Sequence, residues 1–169
     1  QQSNLEASEV DAIFVGNMLS GMLGNQENMG AFFASEMGMS CPALKVEGAC
    51  ASGGLAMHTA VLGVASGWYK RVVVLGVEKM TDYGADETAM ALMGAGSDDE
   101  RKSGVTFPGL YALMARVHME QYGTTREQLA AVSVKNHFHA TFNKQAQFQK
   151  AITIEKVLLS TPVAEPLTL

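Results

Sequence analysis

The chain has 169 residues, 47% of them hydrophobic, and a formal net charge of −5 at pH 7. This length can bury one sizeable core, and the interspersed charges form no basic stripe, which argues against a nucleic-acid partner. No apolar run approaches the length of a membrane span, and no signal-like segment opens the sequence, so we expect no membrane span. Two cysteines, Cys41 and Cys50, make neither a disulfide framework nor a zinc motif. They favour a reducing compartment and predict no metal site.

The first half of the chain alternates between strand and helix patterns. Strands are predicted at 10–16, 43–50 and 72–77, helices at 26–39 and 51–66, and a loop at 17–25. The helix at 51–66 is rich in Ala, Leu, Met and Val and is expected to be buried. The run at 72–77 is almost entirely apolar, as in a strand covered on both faces.

This order of elements predicts an α/β fold with a mainly parallel sheet and helices on both of its faces. Ligands of such sheets gather where the strands end at their carboxyl edge. Cys50 lies at one such strand end, and Glu78-Lys79-Met80 lies at another.

Cys50 follows a strand and precedes a helix, among glycines and alanines that leave room for a substrate. Free backbone N–H groups and the positive end of the helix dipole converge at such a position and favour the thiolate. The sequence therefore indicates a nucleophilic cysteine. The alternative is an inert cysteine packed as a small hydrophobic side chain.

The second half is mainly helical. Residues 83–104 are polar and glycine-rich and are expected to form a loop, with the charged run at 97–102 exposed to solvent. Helices are predicted from Pro108 to Tyr122, with Gly123 as the stop, from a capping box at Thr125–Gln128, and at 154–159.

Several segments together resemble the thiolase family. They are Gly48–Gly54, Arg71–Asp82, Phe107–Ala115, Tyr122–Thr125 and Val134–His137, and they occur in the family's order. The chain is most similar to the sterol-carrier-protein thiolases and to the related archaeal and bacterial acetyl-CoA acetyltransferases. The resemblance covers nearly the whole chain but only part of the family's fold.

The resemblance implies a partial thiolase fold. Residues 1–81 would be part of the N-terminal α/β domain, 82–165 the mostly helical loop domain that helps to hold coenzyme A, and 166–169 the start of the returning strand. The C-terminal half of the fold is absent. That half carries the histidine that activates the nucleophile, an Asn- or His-containing oxyanion motif and a second cysteine, so we expect these groups on a longer chain or on a second polypeptide.

The implied activity is acyl transfer between coenzyme A thioesters, by thiolysis of 3-ketoacyl-CoA or condensation of acetyl-CoA. Cys50 would be the nucleophile, and Gly53 and Gly54 would give space and turn geometry. Tyr111 and Met114 are candidates for the acyl or pantetheine pocket, although helix packing also explains them. His137 is a candidate coenzyme A contact, its alternative being an ordinary polar helix residue. The coenzyme A thioester is a substrate, and no tightly bound cofactor is expected.

Two other functions remain open on the sequence. One is a related ketoacyl or hydroxymethylglutaryl-CoA synthase, which shares the fold and a cysteine nucleophile. The other is a thiolase-like scaffold or lipid-binding subunit without activity. The resemblance also implies a homodimer or tetramer, located in the cytoplasm, or in the peroxisome if the source is a eukaryote.

Overall fold

The computed structural model describes residues 5–169, which form two compact units. The first unit ends at Ala95, and the second spans Gly96–Leu169. Residues 1–4 of the predicted N-terminal domain lie outside the described part of the chain. Within that part, every helix is too short or too polar to cross a membrane.

The first unit alternates strands and helices as the sequence predicts. Its elements are β1 (Ala12–Gly16), α1 (Ser20–Gly24), α2 (Met29–Glu36), β2 (Ala43–Val46), α3 (Ser52–Ala65), β3 (Val72–Gly76) and α4 (Ala85–Leu92). Three 3-10 turns, Ala7–Glu9, Ala49–Ala51 and Met93–Ala95, complete it.

The three strands form one parallel sheet in the order β2-β1-β3. Gly16, the last residue of β1, is in register with Val46 of β2 and with Gly76 of β3. The carboxyl ends of all three strands therefore lie side by side, and the loops that follow them leave from one edge of the sheet.

Alternate residues of β1 point to opposite faces of this sheet. Ile13 and Val15 pack in a core with Ala34 of α2. Phe14 packs in a second core with Ala56 and Ala60 of α3. The helices thus cover both faces, and the predicted α/β class with a parallel sheet is confirmed. All five residues of β1 are buried, because this strand lies in the middle of the sheet.

The helix after the nucleophile candidate comes unusually close to the central strand. A Cβ atom added to Gly16 would lie 2.6 Å from both the Gly53 Cα and the Ser52 carbonyl oxygen. Only glycine fits there, because the atoms it would meet belong to the backbone. The first turn of α3 is therefore held directly against the end of β1.

Three local predictions for this unit are wrong. The predicted loop at 17–25 contains the short helix α1. Helix α3 buries only one face, because Ala56 and Ala60 contact the sheet while larger side chains such as Met57 and Leu62, each more than half exposed, point away. Strand β3 is only partly buried, because it is an outer strand of the three-stranded sheet and, among the described residues, has a neighbouring strand on one side only.

The second unit is mostly helical. It contains α5 (Asp98–Ser103), α6 (Phe107–Tyr122), α7 (Arg126–Ala140), α8 (Ile154–Leu158), and the antiparallel pair β4 (Pro162–Ala164) and β5 (Leu167–Thr168). The predicted stop of α6 is confirmed, because Gly123 adopts a left-handed φ of 69°. The capping box of α7 is confirmed as well: the Gln128 N–H donates to Thr125 Oγ1 at 3.3 Å, and the Thr125 N–H donates to Gln128 Oε1 at 2.9 Å.

The prediction of a loop at 83–104 is wrong, because this range contains α4 in the first unit and α5 in the second. A second capping box opens α5, where the Ser97 N–H donates to Glu100 Oε2 at 2.7 Å. Helix α4 belongs to the first unit, where Ala91 packs with Leu19 and Leu23. The assignment of 82–165 as a coenzyme A-binding domain stays a prediction. The role of 166–169 as the start of a returning strand also stays a prediction. In the structure, β5 lies in this range and pairs with β4.

We expect Gly16→Ala to lower the free energy of unfolding by about 1–3 kcal/mol, because the new methyl group has no space beside the α3 backbone. Urea unfolding measures this difference. Gly24→Ala is the matched control, because a Cβ at Gly24 meets no atom within 4 Å. Equal stabilities of the Gly16 variant and the parent would show that the close approach is not required.

Acid should weaken the link between the starts of β1 and β3. Asp11 Oδ2 accepts hydrogen bonds from the backbone N–H groups of Arg71 at 2.8 Å and Lys70 at 2.7 Å, and these bonds lower the Asp11 pKa. A lowered folded-state pKa gives a stabilisation that is complete above the unfolded value, about 3.9 for aspartate, and that disappears as the pH falls through the folded value.

The parent should therefore be more stable than Asp11→Asn at pH 6, and the difference should shrink towards pH 3. Urea unfolding at both pH values tests this. Asp82→Asn is the control, because the Asp82 carboxylate pairs with Lys79 on the surface, where ion pairs contribute little. A pH-independent difference for the Asp11 variant would contradict the expectation.

Candidate active site

A cavity of about 340 Å³ opens at the carboxyl edge of the parallel sheet. All three strands contribute to it through the loops that follow them. Its walls include Asn17, Met18 and Leu19 after β1, Cys50 and Gly53 after β2, and Glu78 after β3. The sequence-based expectation that Cys50 and the Glu78 segment share one edge of the sheet agrees with this arrangement.

Cys50 lies in the 3-10 turn Ala49–Ala51, directly before α3. The residue is exposed and its thiol is free. Its backbone N–H has no hydrogen-bond acceptor within residues 5–169. Sulfur and an unpaired N–H donor therefore belong to the same residue at the cavity wall, which is the pairing that a nucleophile with its own oxyanion donor requires.

The turn that carries Cys50 is held by its neighbours. Ala49 has a left-handed φ of 51°, which is uncommon for a residue with a side chain. Its N–H donates to Glu47 Oε1 at 2.5 Å, and its carbonyl accepts from Ser52 Oγ at 2.6 Å. Ser52 is buried and also accepts the Gly48 N–H at 3.0 Å. These contacts fix the strained residue on which the position of Cys50 depends.

Gly53 and Gly54 lie in the first turn of α3. The expectation that they provide special turn geometry is wrong, because neither has a positive φ; the left-handed residue is Ala49. The expectation of open space agrees with the structure, since a Cβ at either glycine would meet no atom within 4 Å. Their contact with substrate stays a prediction.

Two polar residues that the sequence did not bring together form a cluster in this cavity. Asn17 is buried, and its side-chain amide donates at 2.8 Å both to the Val77 carbonyl and to Glu78 Oε1. The Glu78 carboxylate also accepts the backbone N–H groups of Met18 and Leu19. The one signal in the sequence was the place of each residue directly after an apolar run that predicted a strand.

Tyr111, Met114 and His137 lie in the second unit. The first two line a groove of about 650 Å³ between α6 and α7, together with His118, Thr124, Leu129 and others. His137 uses Nδ1 to donate to the Lys150 carbonyl at 3.1 Å, and its ring stacks on Phe148 with centroids 6.1 Å apart. His137 therefore anchors the segment after α7, and a coenzyme A contact stays a prediction for all three residues.

The two cysteines differ in their surroundings. Burial raises the pKa of the Cys41 thiol, and the negative charge of Asp11 raises it further. Cys41 packs beside the core formed by β1 and α2, whereas Cys50 is exposed at the cavity. Within residues 5–169, groups of three or more His, Cys, Asp or Glu side chains that could hold a metal ion are absent.

Comparison with known proteins gives a consistent result. A family model described as the thiolase N-terminal domain matches residues 1–158. The chain is 47% identical, over its whole length, to an acetyl-CoA acetyltransferase of Methanothermobacter thermautotrophicus, and 44% identical to one of Methanocaldococcus jannaschii. Over 98% of its length it is 39% identical to the benzoylsuccinyl-CoA thiolase subunit BbsB of Thauera aromatica. It covers 44%, 43% and 43% of these three relatives, which is less than half of each.

At neutral pH we expect iodoacetamide to alkylate Cys50 faster than Cys41 by about tenfold or more, because the Cys50 side chain is exposed whereas burial disfavours the thiolate of Cys41. Peptide mass spectrometry over a time course gives both rates from one sample. Cys50→Ala should remove the fast phase, and Cys41→Ala should keep it. Equal, slow labelling of both residues would contradict an activated Cys50.

Proposed function

Because this chain belongs to the thiolase family, we propose that it carries the nucleophile of an enzyme that transfers acyl groups between coenzyme A thioesters. The observation that carries the proposal is the position of Cys50: it is exposed, follows a strand of the parallel sheet, lines a cavity and has a free backbone N–H.

In the proposed reaction, the Cys50 thiolate attacks the 3-keto carbon of a 3-ketoacyl-CoA. A bond forms between sulfur and this carbon, and the bond between carbons 2 and 3 breaks. Carbon 2 leaves with the electron pair and takes up a proton to give acetyl-CoA, and the shortened acyl group remains as a thioester on Cys50. The thiol of a second coenzyme A then attacks this thioester, and Cys50 is released. The reverse sequence condenses two acetyl-CoA molecules to acetoacetyl-CoA and free coenzyme A.

The Cys50 backbone N–H is placed to stabilise the oxyanion that forms when the sulfur attacks. One such donor stabilises a transition state by about 3–4 kcal/mol when it is well aligned. The described residues that line the cavity include no histidine to move protons during the two half-reactions. We therefore propose that the acid and base groups come from outside residues 1–169, on a longer chain or on a second subunit.

The names of the relatives favour a small acyl group. Two relatives more than 40% identical to this chain are called acetyl-CoA acetyltransferases, which supports acetoacetyl-CoA and acetyl-CoA as substrates. The BbsB relative is named for benzoylsuccinyl-CoA, which supports an aromatic acyl group as the competing substrate. It is also named as a subunit, which supports assembly with another polypeptide. A homodimer or tetramer is the arrangement that we propose for the chain itself.

The second unit is proposed to bind coenzyme A. Residues 128–154 contain Lys135, Lys144 and Lys150 and no carboxylate, within a chain of net charge −5. A cationic segment of this kind attracts the phosphates of coenzyme A. Tyr111 and Met114, in their apolar groove, are proposed to contact the pantetheine or acyl portion, and His137 to hold the cationic segment in place.

Intact-mass spectrometry before and after exposure of the purified protein to acetoacetyl-CoA tests the proposal. The first spectrum gives the length of the chain and detects any second subunit. In the second, we expect an acetyl adduct that is lost in Cys50→Ala and kept in Cys41→Ala. An adduct that survives in Cys50→Ala would overturn the assignment of the nucleophile. A complete assembly that forms no adduct would favour a scaffold or lipid-binding subunit that keeps the fold without the chemistry.

A further inference from the structure

We propose that Glu78 is a positioning residue: its carboxylate holds the segment Asn17–Leu19 as a wall of the cavity and thereby orients the acyl group beside Cys50. The first part of this proposal concerns the geometry of the cavity alone. The second part rests on the proposed acyl transfer.

The Glu78 carboxylate is occupied by N–H donors on both oxygens. Oε1 accepts Asn17 Nδ2 at 2.8 Å and the Leu19 N–H at 3.2 Å. Oε2 accepts the Met18 N–H at 2.8 Å and the Leu19 N–H at 3.1 Å. Three N–H donors thus converge on the carboxylate, and the Leu19 N–H is shared between its two oxygens. Glu78 is therefore placed to hold the backbone of Met18 and Leu19.

Asn17 makes this arrangement rigid, because it is tied to all three strands. Its backbone N–H donates to the Val46 carbonyl at the end of β2, at 3.3 Å. Its side-chain amide donates to the Val77 carbonyl after β3 and to Glu78. Its side-chain oxygen accepts the Ser20 N–H at 3.0 Å. With only 3% of its surface exposed, Asn17 would leave buried polar atoms unpaired if this cluster opened.

The cluster also explains why a helix follows β1 where a loop was expected. The N–H groups at the start of a short helix have no partners within the helix. Here Asn17 accepts the N–H of Ser20, the first residue of α1, and Glu78 accepts the N–H groups of Met18 and Leu19, the two residues before it. Leu19 is thereby held in the small core with Leu23 and Ala91. Because Asn17, Met18 and Leu19 all line the Cys50 cavity, the carboxylate of one loop fixes the shape of the wall contributed by another.

The test compares Glu78→Gln with the parent in the full assembly. Glutamine keeps the size of the side chain but turns an NH₂ group towards the N–H donors. Glu87→Gln is the matched control, because the Glu87 carboxylate also accepts a backbone N–H, from Gly84, but lies outside the cavity lining, and glutamine is accepted in a capping box. Three quantities are measured: amide exchange of Met18 and Leu19, alkylation of Cys50 and Cys41 by iodoacetamide, and kcat and KM for acetoacetyl-CoA.

In Glu78→Gln we expect the Met18 and Leu19 amides to exchange about tenfold faster or more, because the bonds that protect them are lost. We expect kcat to fall by about 10- to 100-fold, as for a misplaced reacting group, with alkylation of Cys50 within about twofold of the parent. A general structural role would instead accelerate alkylation of Cys41, which reports on the core beside β1. Glu87→Gln should change none of these quantities.

Unchanged exchange at Met18 and Leu19 would overturn the proposal. So would faster exchange with an unchanged kcat, which would make the cluster a stabilising contact only. If Glu78→Gln does not fold, Glu78→Asp is measured in the same way, because it keeps the charge on a shorter side chain. Amide exchange and kcat equal to those of the parent in this variant would overturn the proposal too. If the parent itself forms no acyl adduct, the proposed acyl transfer fails, and the exchange measurement alone decides whether Glu78 holds the wall.

Discussion

The contact between the end of β1 and the first turn of α3 is the constraint on which the rest of the first unit depends. At Gly16 the backbones come so close that even a methyl group has no space. This contact fixes the distance of α3 from the sheet, and with it the place of Cys50 just before the helix. The equal register of the three strand ends then brings Asn17 and Glu78 to the same edge. Packing of small residues thus determines the geometry of a polar site.

Much of this arrangement could be predicted from the sequence, because its signals are local and strong. The apolar run of β1, the alternation before Cys50 and the capping box at Thr125–Gln128 each depend on neighbouring residues only. The family could be recognised for a similar reason, since its motifs are contiguous stretches such as Gly48–Gly54. The position of Cys50 at the carboxyl edge followed from the order of elements together with the behaviour of parallel sheets.

The features that were missed depend on residues distant in sequence or on a weak local signal. Helix α1 is only five residues long, and the segment that leads into it is held by Glu78, about sixty positions further along the chain. The Ser97–Glu100 capping box was present in the sequence, but the surrounding charges favoured a solvated loop. The one-sided burial of α3 could not be read from composition either, because its apolar residues occur all around the helix and, among them, Ala56 and Ala60 are the buried ones.

Ala49 has a consequence for how this site can evolve. An alanine in the left-handed region costs on the order of 1 kcal/mol relative to glycine, so replacement by glycine is an easy route to a more stable protein. The same change would enlarge the set of backbone conformations open to the turn that carries Cys50. Stability of the fold and a fixed position of Cys50 therefore place opposite demands on this residue.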